Sequence, residues 1–201
     1  MSHSAMDTEA RRRALSRLTA GVYVLTARDG DRFGAATVAW AMQTSFKPLL
    51  FTVALGRNSN VFRCLAQSCA ATLHVAGHGQ LELARRFACP TEAGDGRING
   101  ESYVDGVTSA PVLGVFPAHF ECLVDEIHDS AGDHALVVLR AVAVKCRTRF
   151  RPMMLGALRK YLESAPLPPR READRSAPAS TPGGVASEHP ANERPQPPPG
   201  V

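Results

Sequence analysis

The feature that most narrows the fold is the close succession of strand-like segments after residue 20. Residues 22–26, 34–42 and 49–55 are rich in Val, Thr, Leu and aromatic side chains, the composition of a pleated, half-buried surface. Between the first two, Arg28-Asp29-Gly30-Asp31 predicts a hairpin turn, since glycine supplies the left-handed backbone that such turns need. These connections are too short for helical crossovers, which excludes repeated βαβ units. Residues 70–76, 119–128 and 134–146 return to strand, the last two separated by the turn-forming Asp129-Ser130-Ala131-Gly132-Asp133. Within the last, Ala135-Leu136-Val137-Val138-Leu139 predicts a buried run. Six or so strands with short helices between them predict a mainly β domain, a closed or partly closed antiparallel barrel.

Helices are expected at residues 7–18, capped by Asp7 or Thr8, at 58–67, capped by Asn58 or Ser59, and at 79–87. Residues 88–111 show little periodicity and hold four glycines, which predicts a long loop with at most a short helical turn. Residues 152–161 read either as a final helix or as an extended strap. Beyond Leu162 the composition turns to Pro, Ser, Ala, Gly and charge, which predicts a disordered, Pro-rich tail over 164–201. The domain proper is therefore expected at 21–163, with a lead-in helix within 1–20.

Charge and composition remove several function classes. The net charge of +4 divides into +2 over residues 1–20 (four Arg against Asp7 and Glu9), zero over 164–201, and +2 spread over the body. Without a basic stripe, and with one Trp and three Tyr, nucleic acid is not an expected partner. The five cysteines are odd in number and form no C-x-x-C pair, so buried reduced thiols are expected rather than disulfides or zinc. No metal site is expected at His74 and His78. No apolar run approaches the roughly 20 residues of a membrane span, and a cytoplasmic location is the default expectation. Neither G-x-G-x-x-G nor G-x-x-x-x-G-K-[ST] is present, so a nucleotide must be held by other means.

The most informative stretch is Thr37-Val38-Ala39-Trp40-Ala41-Met42-Gln43-Thr44-Ser45-Phe46-Lys47-Pro48, a strand whose polar donors sit among apolar residues and which ends at a proline. It resembles the signature of the flavin reductase-like family. So do Val53 to Asn60, Gly79-Gln80-Leu81 through Arg86-Phe87, Phe120-Glu121-Cys122 and Gly132-Asp133-His134, in order, over roughly residues 21–144. The fold that this resemblance implies is the FMN-binding split barrel, antiparallel and of Greek-key type. The relatives are NAD(P)H:flavin oxidoreductases and flavoredoxin-type proteins, which implies homodimers whose flavin site lies near the two-fold interface.

If FMN is the ligand, each piece has a physical task. The flat isoalloxazine suits the backbone groups of a strand, so the resemblance places Thr37, Val38, Ala39 and Trp40 along one ring edge. The phosphate calls for hydroxyls, N–H groups and a cation, which Thr44, Ser45, Arg57, Asn58 and Ser59 supply beside an expected helix N-terminus. Gln43 reads equally as a ribityl contact or a surface side chain. The resemblance makes His134 the candidate catalytic residue, contacting the flavin or orienting the nicotinamide.

The activity so implied is hydride transfer from NADH or NADPH to FMN, or to FAD in its place, with reduced flavin passed on to a monooxygenase. Two positions depart from the pattern: Pro48-Leu49 replaces a double proline, and the C-terminal strap reads Gly156-Ala157-Leu158-Arg159-Lys160-Tyr161. The altered strap motivates a rival expectation, a non-catalytic FMN-binding electron carrier. An oxidase of the pyridoxamine-phosphate type shares the barrel but not these motifs.

Overall fold

The structure is a computed structural model and describes residues 7–129, 132–147 and 149–167. In chain order its elements are α1 (Thr8–Ser16), β1 (Tyr23–Asp29), β2 (Arg32–Val38), β3 (Ala41–Phe46), β4 (Leu49–Gly56), α2 (Asn60–Ser68), β5 (Ala70–Val75) and α3 (Leu81–Phe87). There follow four short strands, β6 (Ala93–Gly94), β7 (Arg97–Ile98), β8 (Glu101–Asp105) and β9 (Pro111–Leu113), then β10 (Ala118–His128), β11 (His134–Cys146) and α4 (Leu155–Ser164).

Seven strands make one antiparallel sheet in the order β2-β1-β5-β10-β11-β4-β3. The tight turn between β1 and β2 is built on Gly30, at φ 56°. Consecutive in sequence, β2 and β3 nevertheless stand at opposite edges, joined by Ala39 and Trp40. The sheet is therefore a barrel that does not close. Here the structure corrects the single strand expected over 34–42: the chain leaves one edge at Val38 and joins the other at Ala41, so the ladder must break between them. The Trp40 carbonyl is reused, accepting from the Ala54 N–H at 2.9 Å.

Side-chain alternation on β1 builds two cores. Leu25 and Ala27 join Val53, Leu65, Leu73, Val137 and Leu139 on the concave side, closed by α2. Val22 and Val24 turn the other way, to Phe87, Ile98, Leu113, Phe116, Met153 and Leu158, beneath α3, α4 and the small sheet. A strand buried on both faces reads as a continuous apolar run, which is why β1 shows no polar alternation. In β11, by contrast, the expected buried run alternates: Ala135, Val137 and Leu139 are buried while Leu136 is exposed, because only one face of this strand meets the core.

The loop expected over 88–111 is instead a four-stranded sheet, β6-β7-β8-β9. Asn99 pins it, donating through Nδ2 to the Arg86 carbonyl at 2.9 Å and accepting at Oδ1 from the Glu92 N–H at 2.8 Å. Side-chain to backbone bonds of this kind leave no periodic trace in a sequence. Both readings of 152–161 are present in succession: Met153 straps β1 to the end of β5, donating to the Ala76 carbonyl and accepting from the Val22 N–H, and α4 begins two residues later. The expected tail begins at Ser164, which closes α4; its residues 168–201 lie outside the described residues, as do Ser130 and Ala131 of the β10–β11 turn.

Candidate active site

A cleft of about 550 Å³ opens along the free edge of β2. One bank is the end of β4, Arg57, Asn58, Ser59 and the first turn of α2; the other is the Phe87–Thr91 segment; Trp40, Asp133 and His134 close one end. Its position follows from the unclosed barrel, because β2 has no neighbour on its outer side.

The groups that β2 presents there can be worked out residue by residue. Thr91 Oγ1 accepts from the Ala35 N–H at 2.9 Å and donates to the Ala35 carbonyl at 3.1 Å, so Ala35 points its backbone away from β1. Antiparallel ladders alternate, hence Thr37 also faces outward, while Ala36 and Val38 pair with Leu25 and Tyr23. The Thr37 hydroxyl donates to the Ala84 carbonyl at 2.6 Å, which fastens α3 to this edge.

At the far bank the chain enters α2 through Ser59, whose Oγ accepts from the Phe62 N–H at 3.3 Å. Capping leaves other first-turn N–H groups without intrahelical partners, and Asn60 and Val61 of that turn line the cleft, with the positive end of the helix dipole behind them. This helix lies against β2 only because residue 34 is glycine: a Cβ there falls 2.4 Å from Val61 Cα. The Arg57 guanidinium lies between cleft and turn. Its Nε donates to the Gly132 carbonyl at 3.2 Å and Nη1 pairs with Asp129, so it also fixes the turn that carries His134.

His134 Nδ1 donates to Asp133 Oδ1 at 2.7 Å, since a carboxylate only accepts. That hydrogen bond, together with the charges nearby, holds the Asp133 carboxyl below its usual range. The imidazole meets Trp40 edge to face with ring centroids 4.8 Å apart. Trp40 is 60% exposed, a large apolar ring left against solvent at the mouth of the cleft.

Of the residues singled out from sequence, Thr37, Val38, Ala39, Trp40, Arg57, Asn58, Ser59 and His134 come together around the cleft. Gln43, Thr44 and Ser45 do not: they stand on β3, at the opposite edge of the sheet, where Gln43 Nε2 donates to the Ser45 carbonyl at 3.1 Å. Sequence reasoning passed over the Phe87–Thr91 bank and Leu167, which also lines the cleft. Only the end of an apolar helix at Phe87 hinted at that bank; Thr91 carries no signal of its own.

Fold and cleft together define a split β-barrel with a ligand groove along an unpaired strand edge. The chain belongs to the flavin reductase-like domain family, which matches residues 15–163. A relative named diflavin flavoprotein A 3, from Nostoc sp., is 33% identical over 123 residues, covering 61% of this chain and 21% of the relative. The chain thus spans about a fifth of the length of the curated relatives it matches. Among solved structures, an NADH:FAD oxidoreductase of Streptomyces globisporus superposes with a TM-score of 0.65 at 21% identity, covering 79% of this chain and 94% of that one. A nitrilotriacetate monooxygenase component B of Mycobacterium thermoresistibile gives 0.64 at 19%, covering 75% and 83%. At these identities the likeness is one of fold.

Proposed function

We propose that the protein is an NAD(P)H-dependent flavin reductase that binds FMN in this cleft and hands reduced flavin to a monooxygenase. The observation that carries the reading is the meeting, in one space, of an unpaired strand edge, a helix N-terminus and the Arg57 guanidinium. A volume of about 550 Å³ falls within the roughly 300–1,000 Å³ of small-molecule sites.

The residues present fit the group. The Thr37 and Ala39 backbone alternates donors and acceptors as the edge of an isoalloxazine does. Asn58, Ser59 and the first N–H groups of α2 suit a phosphate, and Arg57 adds charge at the same bank. Trp40 and His134 wall the other end, where they limit water and offer a flat surface to a nicotinamide. Flavin held there would supply the redox chemistry, as the acceptor of a hydride from a nicotinamide. The chain's own task is to orient two rings and to set donors where negative charge collects. In this reading His134, held by Asp133, orients the nicotinamide.

The protein is taken to act as a cytoplasmic homodimer; among the described residues no helix is long and apolar enough to cross a membrane. Met42 and Phe46 on β3 are 65% and 84% exposed, and Leu136, Val142 and Val144 on β11 are exposed as well. A second copy covering this face would bring Gln43, Thr44 and Ser45 into the interface. Changing both Met42 and Phe46 to Glu is expected to give a monomer by sedimentation, and a monomeric wild type would remove the dimer from the reading.

One observation favours an electron carrier instead. None of the strap residues lines the cleft: Arg159 donates to the Leu15 and Ser16 carbonyls, and Tyr161 donates to Glu82. Absorbance spectra of the protein with FMN, followed anaerobically by NADH and then NADPH, decide between the two. Bands that bleach with either nucleotide support the reductase, bound but unbleached flavin supports the carrier, and no binding removes both. Arg57→Ala is expected to weaken FMN about 10- to 100-fold, the worth of roughly 1.5–3 kcal/mol for a charged hydrogen bond; unchanged affinity would take Arg57 out of the phosphate site.

A further inference from the structure

We propose that residues 145–151, at the end of β11 remote from the cleft, form a docking surface for an acidic face of a second protein. The inference does not depend on what fills the cleft.

The net charge of +2 over residues 21–163 is unevenly placed. Residues 21–140 hold nine Lys and Arg against twelve Asp and Glu, whereas residues 141–163 hold six against Glu163 alone. Four of those six, Lys145, Arg147, Arg149 and Arg151, fall within seven residues that include no acid, and all four are exposed. Arg28, Arg85, Arg86 and Arg140 each have a carboxylate partner, but among the described residues none of these four is ion-paired. Like charges gathered without counter-charges of the chain's own leave a positive field for a partner to neutralise.

The cations stand on fixed backbone. The Arg147 N–H donates to the Pro117 carbonyl at 2.8 Å, and its Nη2 to the Gly114 carbonyl at 3.3 Å. The Arg151 carbonyl accepts from the His78 N–H at 2.7 Å, and the Met153 strap follows. Lys145 pairs with His119 and Val144 with Phe120, so Lys145 lies on the face of β11 opposite to Val144. The basic surface is therefore separate from the apolar face proposed for a second copy. The 13 residues of β11, roughly 40 Å of strand at about 3.3 Å per residue, run between it and His134. A protein docked here leaves the mouth of the cleft open.

Side-chain type favours a protein as the occupant. Three of the four cations are Arg, whose planar fork matches a carboxylate in bidentate pairs and which is enriched in protein interfaces. A single-stranded nucleic acid calls for rings on which its bases stack, and the one aromatic in the run, Phe150, is half-buried. An anionic membrane calls for an apolar anchor beside the charges, and the run exposes no apolar side chain larger than Cys146.

The test uses the full chain and three anionic probes: fluorescent polyglutamate, oligothymidylate, and vesicles of equal parts phosphatidylcholine and phosphatidylserine. Polyglutamate is expected to bind most tightly, to weaken as salt is raised, and to bind about 10-fold less tightly to a variant carrying Lys145→Gln, Arg149→Gln and Arg151→Gln. Among the described residues none of these three side chains makes a hydrogen bond, so the variant removes charge and leaves the fold in place. A control carrying Arg11→Gln, Arg13→Gln and Arg17→Gln loses the same charge elsewhere and is expected to change binding less than about 2-fold. Wild type gives a second readout: of the chain's three lysines, Lys47, Lys145 and Lys160, carbodiimide coupling to polyglutamate is expected at Lys145. No binding of polyglutamate, equal losses in the two variants, or coupling chiefly at Lys47 or Lys160 overturns the proposal. Tighter binding of oligothymidylate or of the vesicles overturns it in favour of a nucleic acid or a membrane surface.

Discussion

Gly34→Ala is expected to lower stability by about 1–3 kcal/mol, the usual cost of forcing extra atoms into a packed interior, and to weaken flavin binding with it. An ideal Cβ at residue 34 meets Val61 Cα at 2.4 Å, Val61 N at 2.6 Å and the Asn60 carbonyl carbon at 2.7 Å. All three are backbone atoms, so no rotamer change relieves the overlap. The first turn of α2 must move off β2, and that turn supplies the N–H groups at the bank of the cleft. Gly79→Ala is the control, since a Cβ there meets nothing within 4 Å. Urea midpoints and FMN titrations of the two variants check the expectation; equal midpoints would show that α2 moves aside at no cost.

The second large effect concerns pH. His74 is fully buried on β5, its Nδ1 donating to the Val24 carbonyl at 3.0 Å and its Nε2 accepting from the Leu113 N–H at 2.9 Å. One neutral ring thereby ties β5 to β1 on one side and to β9 on the other. Burial, above all, drives its pKa from 6.5 to about 3, and neighbouring His119 adds to the effect. The folded value lies below the unfolded one, so the stabilisation is complete above pH 6.5 and is lost as pH falls toward about 3. The slope is up to about 1.4 kcal/mol per pH unit, enough by pH 4.5 to remove a substantial part of a stability of roughly 5–15 kcal/mol. His119 sits opposite His74 across the β5–β10 ladder and is also shifted down, chiefly by burial, with Glu121 opposing. His74→Leu keeps the bulk but leaves the Val24 carbonyl and Leu113 N–H without partners. It is expected to cost about 2–5 kcal/mol at neutral pH and to flatten the acid limb. Urea midpoints at several pH values measure both; an unchanged acid slope in the variant would clear His74 of the effect.

Where local periodicity and tertiary burial agree, the elements were legible before the structure. The span 134–146 is β11 to the residue, and of the two caps expected for α2, Asn58 and Ser59, it is Ser59 that caps it. The small sheet over 93–113 was not legible, because it is held by Asn99 and Arg86 reaching across to backbone, not by alternation of apolar residues. Nor was the break at Ala39–Trp40: both flanking strands are half-buried and similar in composition, and only the pairing of β2 with β1 and β3 with β4 separates them. That break also explains the site. Thr37 to Trp40 and Arg57 to Ser59 line one cleft because the chain crosses from β2 at Ala39 and Trp40, whose carbonyl meets the Ala54 N–H of β4, whereas Gln43, Thr44 and Ser45, a few residues further on, are carried away along β3. His74 was noted only as an unpromising metal ligand; its two hydrogen bonds depend on β1 and β9, which no local pattern relates to it.

Because β2 and β3 leave the barrel open, any molecule lying along β2 stands where an eighth strand would have stood. Hydrogen bonds from such a molecule to Thr37 and Ala39 would be ladder bonds in all but name, and the cleft is better regarded as a missing piece of the sheet than as a hole in it. A ligand so bound would belong to the folded architecture, and its occupancy and the resistance to unfolding are expected to rise together.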